Sequence, residues 1–442
     1  MSKKVILLLL ALFAVALSSN LRYLTDSKAH FDESSGEEDI DSDSEEEQES
    51  TQQPKFNVTE LTAFRHDIHQ HPEPGFHEFR TQRKVIKYLR KLGVRRNQIK
   101  KIAITGLQVD IPGKAKPQGQ NRLIAFRTDI DALDIIEDNP TLPYRSVNNN
   151  AHACGHDGHI TCALGFVSKL MDDIHRIPSN KVIRVLFQPS EEGPIVGAPK
   201  MIADGCLEGV QEIYGWHNAA QAPVGYFGTT DGMLEGQTSF INLTFFGSGG
   251  HAADPTKQDA VQLGVNFINQ LQNFTAQFAP HKIMIKFPYF KAAERWNVVS
   301  PSVNLQGAFR TLEVGFDQVV QPLFFNFLNQ FSNSTGFNYT CDWQFAYHAT
   351  INDHNRTQDV VRVATQYFGA NKVLPGGTVY NSEDFSYYQL IVPGNYFYLG
   401  ASKIPNDRYI HTPTYNFDDD LIPVASGFLY TLALDRLNVT LA

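Results

Sequence analysis

Five short stretches of the chain carry residue types that can hold a cation or move a proton. The densest is His152-Ala-Cys-Gly-His-Asp-Gly-His159. It precedes a helical pattern that begins near Ile160, so Cys154 and His156 fall at a helix N-terminus. The partial positive charge there favours thiolate over thiol, and a metal would favour it further. The second stretch is Gln188-Pro-Ser-Glu-Glu-Gly193, directly after a strand pattern. Adjacent carboxylates in a Pro/Gly-bounded loop point in different directions, so one can bind a metal while the other acts as a general base. The third is Ile213-Tyr-Gly-Trp-His217, the fourth is His411 after a strand ending at Gly400, and the fifth is Asp129 with Asp131. Taken singly these are weak signals. A buried cysteine beside a helix-capping aspartate, or a solvated acidic loop, explains each as well.

The elements that must position them change that balance. Apolar runs at Leu123–Phe126, Val182–Phe187, Ile213–Trp216 and Tyr396–Leu399 read as strands. Helical patterns cover Thr59–His69 and Glu78–Leu92. Ile160, Ala163, Leu164, Val167, Leu170, Met171 and Ile174 recur at three- and four-residue spacing, one face of a further helix. Strands alternating with helices predict an α/β fold with a mixed, largely parallel sheet. Each candidate group lies just past the carboxyl end of a strand or at the start of the next helix. In an open α/β sheet those ends form one crevice. One thiolate, three imidazoles and a carboxylate exceed a single tetrahedral site and suit two divalent transition ions sharing a water.

The texture changes between about Glu235 and Ala346. Alternating strands at Phe240–Phe246 and Val303–Phe309 and helices at Val261–Phe274 and Phe316–Phe331 suit a smaller α+β unit inserted in the larger domain. The expected organisation is residues 1–18 as a signal peptide, 19–54 as an acidic disordered segment, 55–234 and 347–442 as the two parts of a catalytic domain, and 235–346 as the insert.

The stretches Arg65-His-Asp-Ile-His-Gln-His-Pro-Glu73, Phe126-Arg-Thr-Asp-Ile-Asp-Ala-Leu133, His152 to His159, Gln188 to Glu192, Gly249-Gly-His-Ala-Ala253, Glu383-Asp-Phe-Ser386 and His411-Thr-Pro413 occur in order over nearly all of Lys55 to Ala442. In this series the chain resembles the M20 metallopeptidases, in the branch of aminoacylase-like, hippurate and auxin-conjugate amidohydrolases. The resemblance implies that Cys154, His156, Glu192, His217 and His411 bind two divalent metals, Mn or Zn. It implies that Glu191 is the general base for the bridging water and that Asp131 orients the ligands from behind. It further implies that His251 stabilises the tetrahedral oxyanion, that Asn297 and Arg310 hold substrate, and that the insert is a lid and dimerisation domain of a homodimer. The implied reaction is amide hydrolysis of small N-acyl amino acids. A carboxypeptidase or dipeptidase with the same metal chemistry is the alternative. Two other classes fit less well. A non-catalytic binding protein would have little reason to keep both Glu191 and Glu192. A cysteine hydrolase is disfavoured because Gly155 and His156 beside Cys154 suit shared metal ligation better. Two departures from the family pattern stand out, an acidic N-terminal tail and Pro199 where a helical residue is usual.

The N-terminus and the composition set the remaining expectations. Lys3 and Lys4 precede an apolar run from Val5 to Leu17, with Ala16 and Ser18 suited to cleavage after Ser18. The run is shorter than a spanning helix, and no other stretch is apolar enough to cross a bilayer, so no integral membrane segment is expected in the mature chain. Phe31 to Pro54 carries eleven acidic residues and no lysine or arginine, a composition that cannot bury a core. Removing those eleven charges from the net −9 leaves +2, so nothing suggests a nucleic-acid partner. Four cysteines are too few for a disulfide scaffold. Seven Asn-x-Ser/Thr sequons, with the leader, predict a glycosylated protein that is secreted or held in a secretory or lysosomal lumen.

Overall fold

The computed structural model describes residues 55–193, 195–293, 295–403 and 409–440. The expected signal peptide and acidic segment lie outside the described residues. The chain opens with helices α1 (Val58–Gln70) and α2 (Phe79–Lys91), then strands β1 (Ile99–Ile102), β2 (Gly106–Pro112) and β3 (Arg122–Asp129). Helix α3 (His156–Asp172) leads to β4 (Lys181–Gln188), and the short α4 (Ala198–Ala203) to β5 (Glu212–Pro223), β6 (Phe227–Thr229) and β7 (Gly232–Glu235). A second unit follows: β8 (Gln237–Phe246), β9 (Gly250–His251), α5 (Ala260–Ala276), β10 (Ile283–Lys291), β11 (Val298–Val299), β12 (Ser302–Thr311), α6 (Asp317–Thr335) and β13 (Asn338–Tyr347). The chain returns through β14 (Thr350–Asn352), α7 (His354–Phe368), β15 (Val373–Pro375), α8 (Phe385–Gln389), β16 (Gly394–Ser402) and α9 (Leu421–Leu437).

The main sheet has eight strands in the order β1-β2-β4-β3-β5-β16-β6-β15. Its centre, β4-β3-β5-β16, is parallel throughout, as expected; β1, β2 and β6 add antiparallel pairs. Parallel strands need both faces covered, which accounts for the near-continuous apolar runs. Alternation sends Ile124 and Phe126 of β3 to one core and Ala125 to the other. The first core packs against α1, α2, α3 and α9 and the second against α4 and α8. Helix α3 is buried nearly all round. Its Gly165 approaches so closely that a Cβ would meet Ser426 Oγ of α9 at 2.3 Å. Pro199 sits in the first turn of α4, where its missing N–H costs no helical bond.

The second unit is a four-stranded antiparallel sheet, β10-β12-β8-β13, with α5 and α6 on one face. It has its own core. Ile241, Leu243 and Phe245 of β8 and Val303, Leu305 and Phe309 of β12 meet Phe267, Phe274, Phe324 and Phe331 from the helices. Burying an aromatic side chain contributes roughly 1.5–3 kcal/mol, so this unit does not rely on the main sheet for its packing. A separate two-stranded ribbon, β9 with β11, pairs Val298 with His251.

Two expected boundaries move in ways that matter for the site. Helix α3 starts at His156, four residues before the apolar periodicity begins, because Gly155 takes the N-cap position at φ +95°. Strand β5 runs on through His217, so that histidine lies inside a strand and not beyond one. It can do so because β5 outlasts β3 and pairs with β16 as far as Pro223.

Candidate metal centre

The site forms past the carboxyl ends of β3 and β4, beside His217 within β5. The left-handed Gly155 turns the chain sharply between Cys154 and His156. A Cβ there would meet Asn218 Oδ1 at 2.7 Å, so only glycine fits. After β4, Ser190 adopts φ +52°, uncommon for a residue with a Cβ. Its amide donates to Glu78 Oε1 at 2.9 Å and its hydroxyl to the Ile195 carbonyl at 2.6 Å. Those bonds hold the turn that presents Glu191 and Glu192. His411 is also left-handed, at φ +60°, with its amide bonded to the Ala153 carbonyl at 2.8 Å. Backbone strain of this kind persists only where the surroundings impose it, and it clusters at functional sites.

The five expected ligands come together. Cys154 Sγ lies 3.2 Å from His217 Nε2 and 3.3 Å from His411 Nε2, and His411 Nε2 lies 2.8 Å from Glu192 Oε1. Two triads result, Cys154/His156/His217 and Cys154/Glu192/His411, each with donor atoms within 4.8 Å of one another. Cys154 belongs to both. Imidazole orientation is fixed from behind. His156 Nδ1 donates to the Asp131 carbonyl at 2.9 Å and approaches Asp131 Oδ1 at 3.2 Å, while His217 Nδ1 donates to the Asn218 carbonyl at 2.9 Å. Both rings therefore turn Nε2 into the cluster. Asp131 Oδ2 also accepts from the Glu192 amide at 2.9 Å, so one carboxylate sets two of the ligands.

These donors fit a cation and fit poorly without one. His156 Nε2 is buried and has no hydrogen-bond partner. Burial and the Glu192 and Glu191 carboxylates push the Cys154 thiol well above its usual range. The helix end alone therefore does not make the thiolate expected from the sequence. Burial likewise raises the Glu191 carboxyl well above its usual range, reinforced by Glu383 and Glu192. Burial would raise Glu192 too, but His411 and His156 outweigh it and hold it at about 2. Burial, then His159, lowers His217 to about 3, so it stays a neutral donor. Sulfur, imidazole and carboxylate together suit Zn or Mn.

A second buried cluster adjoins the first. Glu191, Glu383 and Asp384 bring carboxylate oxygens within 4.8 Å of one another. Arg127 lies beneath, bonded to Gln188 Oε1 at 2.8 Å, Asp129 at 2.8 Å and Asp384 at 2.7 Å, with Glu383 Oε1 at 2.9 Å. Tyr347 donates to the Glu191 carbonyl at 2.9 Å. His159 bonds Asp129 at 2.6 Å and Asn218 at 2.5 Å. Roles for Arg127, Glu383, Tyr347 and His159 were missed from sequence. Tyr347 carries no spacing signal, while Arg127, Glu383 and His159 sit in the matched motifs without a role of their own.

The residues expected from the insert divide. Arg310, on β12, reaches the centre. It is bonded to the Tyr380 carbonyl at 2.9 Å and Ser382 Oγ at 3.1 Å. Burial lowers its pKa, against the raising pull of Tyr347, Glu235, Glu192 and Glu191. His251 and Asn297 are exposed, close to each other on the β9–β11 ribbon, where Ala252 donates to the Asn297 carbonyl at 3.2 Å. Among the described residues no hydrogen bond or ion pair joins either to the five donors.

The sequence pattern of peptidase family M20/M25/M40 matches residues 125–435. The chain belongs to that family. It is 31% identical to an N-acetyldiaminopimelate deacetylase of Brevibacillus brevis, over 83% of this chain and 95% of the relative. It is 28% identical to an N-acetylcysteine deacetylase of Bacillus subtilis, over 85% and 96%. Among solved structures it resembles a dinuclear metal-binding peptidase of the M20 family from Bacillus subtilis, with a TM-score of 0.68 and 26% identity, covering 87% of this chain and 99% of that one. The chain is thus a hydrolase of a metal-dependent family. One expectation is corrected. These relatives are bacterial deacetylases matched over nearly their whole length, and nothing in them is a sign of secretion. The secreted or lumenal localisation, with the signal peptide and glycosylation attached to it, is withdrawn. Among the described residues no helix is long and apolar enough to cross a membrane.

Proposed function

We propose that this enzyme hydrolyses the amide bond of N-acyl amino acids, using two divalent cations held by Cys154, His156, Glu192, His217 and His411. The observation that carries the reading is the sharing of Cys154 by two donor triads, with its sulfur 3.2 and 3.3 Å from two imidazole nitrogens. When bound, the cations polarise the scissile carbonyl and acidify a water at the site. Glu191 takes the proton of the attacking water and returns it to the departing amine. Its carboxylate lies within 4.8 Å of the Glu192 and His156 donor atoms, in reach of a water held between them. Asp131 keeps His156 and Glu192 in position. Arg310 binds the carboxylate of the amino acid; its guanidinium spends one nitrogen on Tyr380 and Ser382 and keeps others for the ligand. His251 and Asn297 reach the substrate when the ribbon approaches the centre, and His251 then donates to the oxyanion. The insert serves as lid and dimerisation domain of a homodimer.

A cavity of about 390 Å³ opens beside His217. Leu374, Val379, Ile410, Tyr226 and Asn381 line it, and it has no acidic side chain, lysine or arginine in its wall. Such a wall accepts an uncharged acyl group. The names of the deacetylase relatives support the same bond type. The similar Bacillus subtilis structure is that of a peptidase, which keeps dipeptides as the competing substrates. Turnover by the Mn- and Zn-loaded enzyme across matched N-acyl amino acids and dipeptides is the test. Cleavage of acylated amino acids with dipeptides untouched is expected. Preferential cleavage of dipeptides would replace this reading with the peptidase one.

A further inference from the structure

A cavity lies away from the metal centre, at the opposite ends of the same strands. It measures about 630 Å³ and is walled by Arg122 at the start of β3, Lys181 at the start of β4, Glu212 at the start of β5 and Arg356 in the first turn of α7, with Gln120 and Asn438 beside them. Lys181 is only 6% exposed. Its ammonium makes one hydrogen bond, 2.7 Å to the Gln120 carbonyl, and no ion pair among the described residues. A buried, unpaired ammonium is costly, and among the described residues two of its three donors have no protein partner.

The neighbouring charges do not supply the missing anion. Glu212 is shared among three guanidiniums: Arg122 at 2.9 Å, Arg436 at 3.2 Å and Arg356. Asp359 pairs with Arg356 at 3.2 Å and Arg436 at 2.9 Å, and Asp435 with Arg362 at 2.8 Å. Among the described residues, five cations, counting Lys181, thus meet three carboxylates, an excess of two positive charges. Arg122 Nε and Arg356 Nε are both buried without a partner, and Arg122 uses only Nη2 in its bond to Glu212. Donors exceed acceptors in number as well as in charge. Guanidinium and ammonium groups around one opening are the groups that bind compact oxyanions.

We infer that this cavity is a binding site for a small doubly charged oxyanion of the sulfate or phosphate type, gripped by Lys181 and Arg122 at the amino-terminal ends of β4 and β3. An anion there compensates the excess charge and uses the idle donors. The site is independent of the proposed amidase activity, because none of its residues touches the metal donors.

Sulfate is the probe, since phosphate would also meet the metals. Binding to the full metal-loaded chain is followed by calorimetry and by the shift in Tm at constant ionic strength, with chloride as the control. Saturable sulfate binding that chloride does not reproduce is expected. Lys181→Gln and, separately, Arg122→Gln should each weaken it about tenfold, the size of one charge-assisted hydrogen bond. Turnover and metal content should be unchanged in both. Glu212 keeps two guanidiniums in the second variant, and the first leaves every ion pair intact, so at least one folded variant is available. Equal effects of sulfate and chloride, or undiminished sulfate affinity in the folded Lys181→Gln chain, would overturn the assignment.

Discussion

The two ends of this molecule that bear on catalysis are built differently. Around the carboxyl ends of β3 and β4 the donors are mostly tied from behind, with Cys154 and His156 buried, His217 and Glu192 half-buried and His411 exposed. Asp131 holds His156 and Glu192, Asn218 holds His217, and the Ala153 carbonyl holds the His411 backbone. On the β9–β11 ribbon, His251 and Asn297 stand in solvent, and the His251 ring is fixed only by the Ala253 amide at 3.1 Å. The first region is organised in advance; on the proposed mechanism the second has to travel. The difference follows from packing. The donors rest on a sheet with a core on each face, whereas the ribbon is two residues per strand and belongs to neither sheet.

The comparison breaks most completely on metal removal. Chelation should abolish turnover, and Mn, Zn or Co should restore it, because the fixed end has no other electrophile. Full activity in a chain verified to be metal-free would undo the division of labour. Next in size is His251→Ala. Loss of an oxyanion donor costs about 3–4 kcal/mol, so kcat should fall a few hundredfold while metal content stays constant. A parallel loss of metal would mean that His251 belongs to the fixed end. Whether the ribbon serves its own chain or a partner is sharpened by mixing inactive His251→Ala and Glu191→Gln chains. Recovered activity would assign His251 to the neighbouring subunit's site. The smallest effect is expected from Asp131→Asn, which weakens two supports at once yet removes no ligand. Metal affinity should drop about 10–100-fold, with kcat largely recovered at saturating metal. Unchanged affinity would show that the ligands hold themselves.

The same contrast explains how much could be read from sequence. Apolar runs gave β3, β4 and β16 to within a few residues, since strands covered on both faces need uninterrupted apolar side chains. β10 and β13 escaped notice. The first carries Lys286, Pro288 and Lys291, while the second has a legible stripe, Tyr339, Cys341 and Trp343 alternating with polar residues and packed on the core, that was not read as a strand. The five ligands were legible because most lie just past a strand or at the start of a helix, although His217 lies within β5. The start of α3 was misjudged because Gly155, and not the apolar periodicity, sets it. The Arg127–Glu383–Asp384 cluster was invisible as a unit, since its members are up to 257 residues apart and only the fold brings them together. Exposure of His251 could not be read from a motif, because a motif names a residue and not its conformation. The leader misled in another way: an apolar N-terminus states a composition, and the relatives give it no support.

The most direct test of the whole account is Glu191→Gln, with metal content and turnover measured on the same sample. Adjacent Glu191 and Glu192 are assigned different work, one moving the proton and the other holding the cation. The account predicts metal content equal to the parent chain, with kcat reduced about 10²–10⁴-fold. Retained turnover, or metal lost with this substitution alone, would contradict it and exchange the two glutamates.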